Sequence, residues 1–279
     1  MVLVVPTDME TFWMYSYYIQ SLLNGLFTAS AEEGCDLLFA MNPSSIHGTG
    51  ELDKPPGAYD AVVLILPPRE SRVASRLARG RVPTIIIGQR ATFDIPHVTA
   101  DDTVGATAAM QYLFELGHRR VGHIAGPLQH DDALDRLSAY STFGHANGLA
   151  MPDRWIGMGD YSFENVRDIA REILSLSDRP TAIFAANDLM ALAVLEAAHH
   201  FGIRVPEELS VVGFDDSQDA QRADPPLTTV LQPTEEVARR CIQSLMQSLA
   251  TGQPPENILL ETTLVIRRST APPPSIALR

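Results

Sequence analysis

Six short runs of apolar, largely β-branched residues punctuate the chain: VLVV (Val2 to Val5), AVVLIL (Ala61 to Leu66), PTIIIG (Pro83 to Gly88), RVGHIAG (Arg120 to Gly126), TAIFAA (Thr181 to Ala186) and SVVGF (Ser210 to Phe214). The runs are near-continuous rather than alternating, the pattern of strands covered on both faces in a parallel sheet. Between them apolar residues recur at helical spacing. Ala106, Ala109, Met110, Leu113 and Leu116 share one face ahead of Gly117, Leu189, Leu192 and Leu195 repeat the pattern ahead of Gly202, and Val237, Cys241, Leu245 and Leu249 ahead of Gly252. Each glycine is a candidate helix terminator. Strand alternating with helix predicts an α/β fold.

The residues that follow the runs carry the first hint of function. Short polar clusters stand there: PTD (Pro6 to Asp8), ADD (Ala100 to Asp102), ND (Asn187, Asp188) and DDS (Asp215 to Ser217). Ligands of open α/β sheets bind beyond the carboxyl ends of the strands, so the clusters are expected to converge on one edge. Asp, Asn, Ser and Thr are also the favoured helix N-caps, and capping is expected of Asp102, Asp188 and Ser217. Two carboxylates directly after the SVVGF run need a partner, because an unpaired buried carboxylate is costly. The stretch from Asn42 to Asp60, rich in Gly, Pro and Ser, reads as a loop where a neat βαβ unit would carry a helix. The closing APPPSIALR (Ala271 to Arg279) reads as a frayed tail.

Composition narrows the choice of partners. With 279 residues, 45% of them hydrophobic, the chain can bury a sizeable core in one large domain or two lobes. A net charge of −13 repels phosphate backbones, so this chain by itself is not expected to grip nucleic acid. No apolar run reaches the roughly 18 to 20 residues of a membrane helix and Met1 to Met9 lacks signal-peptide features, which predicts a cytoplasmic protein without membrane contact. Cys35 and Cys241 lie far apart without metal-ligand or disulfide-framework spacing and read as small buried hydrophobes. No metal and no cofactor are expected.

Four co-linear motifs carry a resemblance: DDTVGATAAMQYLFELGHRRVGHIAGP (Asp101 to Pro127), RPTAIFAANDLMALAVLEAAHHFGIRVPEELSVVGFDD (Arg179 to Asp216), PPLTTVLQP (Pro225 to Pro233) and LVIRRST (Leu264 to Thr270). In order and spacing they resemble the effector-binding core of LacI/GalR-family bacterial transcription regulators. The resemblance implies a core like a type I periplasmic binding protein, with two Rossmann-like lobes, each with a parallel sheet, joined by three crossing segments and closing on a small molecule. Carried onto this chain, the N-terminal lobe would be 1–116 plus 232–259 and the C-terminal lobe 117–231 plus 260–279. It also implies a homodimer, allosteric control, and operator DNA contacted only through a helix-turn-helix headpiece, for which these residues hold no counterpart.

The same resemblance assigns site residues. Asp215 would be a ligand-binding carboxylate able to accept from vicinal sugar hydroxyls, with Asp216 as its capping neighbour. Arg136 would be the binding arginine, its donor fork shared between ligand and Asp215 or Asp101. Asp101 would serve from the first lobe, and Asn187 and Gln232 would add amide contacts. A pyranose presents an apolar face to an aromatic ring, for which Tyr18 is the best match, Trp13 a looser one and Tyr161 a further candidate, with Ser162 as the adjoining helix cap. His130 and Asp132 would be polar contacts from one loop. His118 is expected to bond backbone or solvent, and the His199, His200 pair to complement a helix dipole.

Three functions compete. The leading one is a sugar- or polyol-sensing core of a transcription regulator. The alternative is a solute-binding protein of a sugar transporter, which shares the fold but would carry a secretory signal. A glycosidase using Asp101 and Asp215 is the third, and the absence of a nucleophile elbow, phosphate loop or metal cluster argues for a protein that is not an enzyme.

Overall fold

The computed structural model describes residues 1–6, 17–39, 59–67, 71–89 and 94–274. Trp13 and residues 42–58 of the expected loop lie outside these. In chain order the first elements are β1 (Val2–Pro6), α1 (Tyr17–Glu32), β2 (Leu37–Phe39), β3 (Ala61–Ile65), α2 (Arg72–Leu77), β4 (Thr84–Ile87) and β5 (His97–Ala100). Then come α3 (Asp102–Glu115), β6 (Val121–Ala125), α4 (Asp131–Ala146), β7 (Ile156–Met158), α5 (Phe163–Ser175), β8 (Ala182–Ala185) and α6 (Asp188–His200). The rest are β9 (Ser210–Asp215), α7 (Gln218–Arg222), β10 (Thr228–Leu231), α8 (Thr234–Thr251), β11 (Ile258–Leu260) and β12 (Thr263–Val265).

The fold is α/β, with two units. One comprises 1–100, 129–131 and 233–260, the other 101–128, 132–232 and 261–279. Each holds a six-stranded sheet, β2-β1-β3-β4-β5-β11 in the first and β7-β6-β8-β9-β10-β12 in the second. Every pairing is parallel except that of β12 with β10. Both sheets thus repeat one doubly wound order, in which the first strand sits between the second and the third, creating a switch point beside it. The boundary after β5 falls at Ala100, sixteen residues before the expected Leu116, because α3 buries Ala106, Ala109, Met110 and Leu113 against Phe184, Val212, Phe214 and Val230 of the second sheet.

Strand periodicity explains why both faces are covered. In β8, Ile183 and Ala185 pack beneath α5 and α6, whereas Ala182 and Phe184 pack beneath α3 and α4. In the first unit, Val63, Ile65, Ile85 and Ile87 meet α1 and α8, while Val62, Leu64 and Ile86 meet α2. Helix α6 buries a face other than the one expected, and α8 departs from its expected face at one residue. Helix α6 turns Met190, Ala191, Ala193, Val194, Ala197 and Ala198 inward and leaves Leu189, Leu192 and Leu195 half-buried on its flanks. Helix α8 buries Val237, Ala238, Cys241, Ile242 and Leu245, but Leu249 is exposed. Small residues win on α6 because the sheet lies close beneath it: a Cβ on Gly213 would come within 3.3 Å of the Ala191 Cβ.

The stretch after β12 is tied down further than a frayed tail would be. Ser269, fully buried, accepts from the Thr228 amide at 2.8 Å and donates to the Val211 carbonyl at 2.6 Å. His118, also buried, donates from Nε2 to the Ala271 carbonyl at 3.0 Å, and a neutral imidazole donating there accepts at Nδ1, where the Thr181 hydroxyl stands at 2.9 Å. Burial holds this ring neutral, its pKa lowered to about 4. The GHRR histidine is therefore a clasp on the C-terminal segment, bonded to side chains as well as to backbone.

Candidate functional site

In the second unit, polar side chains gather where β6, β8, β9 and β10 end, at the switch point between β6 and β8. Arg136, one turn along α4 from Asp132, is the centre. It is 3% exposed, and its Nε and Nη2 both donate to Asp102 Oδ1, at 2.9 and 2.7 Å. Nη1 donates to the Ala186 carbonyl just past β8 at 2.5 Å, and the guanidinium carbon lies 3.8 Å from the Phe214 ring centre, a cation–π contact. Asp132 Oδ2 stands 3.8 Å from Nη1 and accepts from the Tyr161 hydroxyl at 2.5 Å. Tyr161 lies flat on Gly126, where any Cβ would meet its ring at 2.4 Å.

The two carboxylates that end β9 have separate fates. Asp215 is buried, and Gln232, at the end of β10, donates to its Oδ1 at 2.6 Å. Asp216 pairs with Arg267 at 2.5 Å. Beneath them Asp188, 1% exposed, accepts from the Thr229 hydroxyl at 2.5 Å and the Ser217 amide at 2.7 Å. Asp215 (φ 126°), Asp216 (φ 58°) and Tyr161 (φ 64°) all adopt left-handed backbone, which costs a non-glycine residue on the order of 1 to 3 kcal/mol. Such strain persists only where the surroundings over-determine it; of the four non-glycine residues with positive φ among the described residues, three lie here and the fourth, Leu66 (φ 47°), lies in the first unit.

Electrostatics follow from burial. Burial raises Asp102 to about 6 against the opposing pull of Arg136, and raises Asp188 to about 6 against its hydroxyl and amide donors. Asp215 is pushed well above the usual carboxylate range by burial and by the charge of Asp188, with Arg136 and Gln232 acting the other way. Burial, then Asp132, drive the Tyr161 phenol upward. Burial alone would lower Arg136, but Asp102 and Asp132 more than reverse it, and the guanidinium stays charged. The cluster thus combines a fixed cation, several buried acids and an aromatic ring.

Of the expected site residues, Arg136, Asp132, Tyr161, Asp215 and Gln232 meet in this cluster. Asp101 does not point into it. It belongs to the second unit rather than the first, and its side chain caps α3 through the Val104 amide at 3.0 Å. Asp102, expected as a cap, is instead the partner of Arg136, a role expected for Asp215 or Asp101. The same exchange occurs on α6: Asn187 caps through the Met190 amide at 2.9 Å, and Asp188 turns inward. Asp216 is an ion-pair partner, not a cap, whereas Ser217 and Ser162 do cap their helices. His130 lies in the 129–131 turn, which groups with the first unit. Tyr18 is also in that unit, its hydroxyl 3.1 Å from where a Cβ of Gly88 would stand. Beside it the Gln89 side chain, 3% exposed, has no hydrogen bond among the described residues. Phe214 and Arg267 carried no signal in the sequence, because each acquires its role from a neighbour remote in the chain.

Among the described residues no group of His, Cys, Asp and Glu is arranged to hold a metal, and no helix is long and apolar enough to cross a membrane. Residues 110–270 match the model of the periplasmic binding protein-like domain. Over 273 residues the chain is 32% identical to the HTH-type transcriptional regulator CelR of Thermobifida fusca, covering 96% of this chain and 80% of that protein. Over 182 residues it is 37% identical to the HTH-type transcriptional repressor CytR of Escherichia coli, covering 63% of this chain and 52% of CytR. A solved complex of CelR with cellobiose superposes with a TM-score of 0.88 at 30% identity, covering 96% of this chain and 84% of that one.

Proposed function

The chain belongs to the LacI family of transcriptional regulators, and from that premise we propose that it senses a small hydroxyl-rich effector, a carbohydrate or related polyol, at the Arg136–Asp215 cluster. The observation that carries the reading is the buried Arg136 guanidinium, fixed by Asp102 and the Ala186 carbonyl, next to an Asp215 carboxylate held on strained backbone by Gln232. Charge-assisted hydrogen bonds of this kind are worth roughly 1.5 to 3 kcal/mol each, enough to tell a hydroxyl from its absence. The cellobiose bound by CelR is a ligand of the required chemistry.

Effector binding acts on DNA by coupling. A difference of about 1 to 3 kcal/mol in effector affinity between two states of the chain suffices to bias a DNA-binding headpiece. A net charge of −13 disfavours phosphate contact by this chain, so operator contact is assigned to that headpiece, and the family resemblance supports a homodimeric sensor. The relatives are regulators rather than enzymes or transport proteins, which sets aside the glycosidase and solute-binding readings.

The test is calorimetry with glucose, galactose, cellobiose, inositol and free nucleobases against wild type and Asp215→Ala. At least one sugar or polyol is expected to bind, and to bind about tenfold or more weakly in the variant, a difference of about 1.4 kcal/mol. Unchanged affinity removes Asp215 from the contact surface, and a nucleobase as the sole ligand overturns the polyol reading.

A further inference from the structure

We propose that the effector carries a protonated amine as well as hydroxyls, as an amino sugar or aminocyclitol does, and that Asp132 and Asp215 receive the ammonium. This rests on the effector-sensing reading of the same cluster.

The argument starts from a count of charges. Arg136 is surrounded by Asp102, Asp132 and Asp215, with Asp188 acting on Asp215 from below. The other cation at this end of the sheet, Arg267, is taken by Asp216. One guanidinium therefore faces three carboxylates, and Asp102 alone occupies two of its donor nitrogens. The third goes to a carbonyl, leaving Asp132 no closer than 3.8 Å.

Acceptor capacity is in surplus in the same place. Asp132 Oδ1 is buried and has no hydrogen-bond partner among the described residues, although its other oxygen takes the Tyr161 hydroxyl. Asp215 spends Oδ1 on Gln232. A carboxylate oxygen stripped of water and given no donor is expensive, so these atoms favour a guest that brings N–H or O–H donors, and the uncompensated carboxylates favour one that also brings positive charge. An ammonium meets both demands: it donates only, and it offsets the excess negative charge. Hydroxyls satisfy the first demand and leave the second. Burial is the first cause of the raised pKa values of Asp102, Asp188 and Asp215, and neighbouring carboxylates push each in the same direction. Tyr161 supplies the apolar ring on which the carbon skeleton packs.

The experiment pairs each neutral sugar with a counterpart that differs by an ammonium in place of one hydroxyl per ring: glucose with glucosamine, galactose with galactosamine, and cellobiose with the glucosamine disaccharide of the same linkage. Affinities are measured by calorimetry near neutral pH on the 279-residue chain, wild type and Asp132→Asn. The variant keeps shape and can still accept from Tyr161, and a thermal melt verifies that it is folded. At least one amine is expected to bind about tenfold or more tightly than its neutral partner, and Asp132→Asn to cut that preference to about threefold or less. A neutral sugar that binds as well as its amine overturns the ammonium proposal and leaves the polyol-sensing reading standing. Binding by none of the six overturns the ammonium proposal, and absence of binding by inositol as well overturns the polyol-sensing reading. An amine preference that survives Asp132→Asn unchanged overturns the role of Asp132.

Discussion

Replacing Arg136 by methionine is the sharpest probe of the cluster, because it removes a charge on which several groups depend while roughly keeping the side chain's volume. The substitution abolishes both bonds to Asp102 and the bond to the Ala186 carbonyl, and strands Asp102, 5% exposed, without a cation. Breaking a buried pair by removing one partner costs about 3 to 5 kcal/mol. Asp102→Asn on the Arg136→Met background removes the stranded charge, so the double variant should recover about 1 to 3 kcal/mol relative to the sum of the single effects. The effect also has a direction with pH. Arg136 is the chief group lowering the Asp102 pKa, which burial sets at about 6, so in Arg136→Met that pKa moves higher. A carboxyl whose pKa is raised on folding holds its proton in the folded state, and its penalty grows as pH rises through the folded value. Arg136→Met should accordingly be less destabilised at about pH 5 than at about pH 8. Urea unfolding followed by circular dichroism and by the fluorescence of Trp155, buried in the second unit, reads both effects. Additive single-variant effects together with a pH-independent loss would refute the idea that this pair governs the local energetics.

Two further outcomes follow from packing and burial. Gly213→Ala places a Cβ 2.3 Å from Asp188 Oδ1 and 2.8 Å from Leu227 Cδ2, so a loss of about 1 to 3 kcal/mol is expected in thermal unfolding, and an unchanged melting temperature would show that β9 can shift. His123, stacked between Tyr140 and Phe184 and donating from Nδ1 to the Phe184 carbonyl at 2.8 Å, is held neutral by burial with its pKa lowered to about 4. The unfolded chain takes up its proton first, so this group costs stability as pH falls from about 6.5 to about 4. His118 acts with the same sign, while Asp102 and Asp188, raised to about 6, act with the opposite sign as pH falls from about 6. The stability gap between wild type and His123→Phe should therefore narrow on acidification, and a constant gap in urea titrations across that range would rule His123 out as the source.

Much of the architecture was written in the order of residues. Each of the six apolar runs contains a strand, because a strand covered on both faces must be apolar at every position, and that needs no knowledge of the partner. The short edge strands β2, β7, β11 and β12 lack such runs, since an edge strand is only partly covered. Helix α3 shows the limit for larger pieces: its apolar face declares a helix, yet which sheet it covers depends on contacts with β8, β9 and β10 far along the chain. The family resemblance likewise put Arg136, Asp215 and Gln232 together, and their side chains do gather in one cluster. What the residue order did not determine was the division of labour within adjacent acids. In ADD the first aspartate caps and the second pairs with Arg136; in ND the asparagine caps and the aspartate turns inward; in DDS one acid meets Gln232 and the next Arg267. Neighbouring side chains at a strand–helix junction point in different directions, and a chemical type that suits both roles leaves the choice to backbone geometry. Which acid finds a cation, and which caps a helix, is settled by through-space distance, a quantity that only the folded chain possesses.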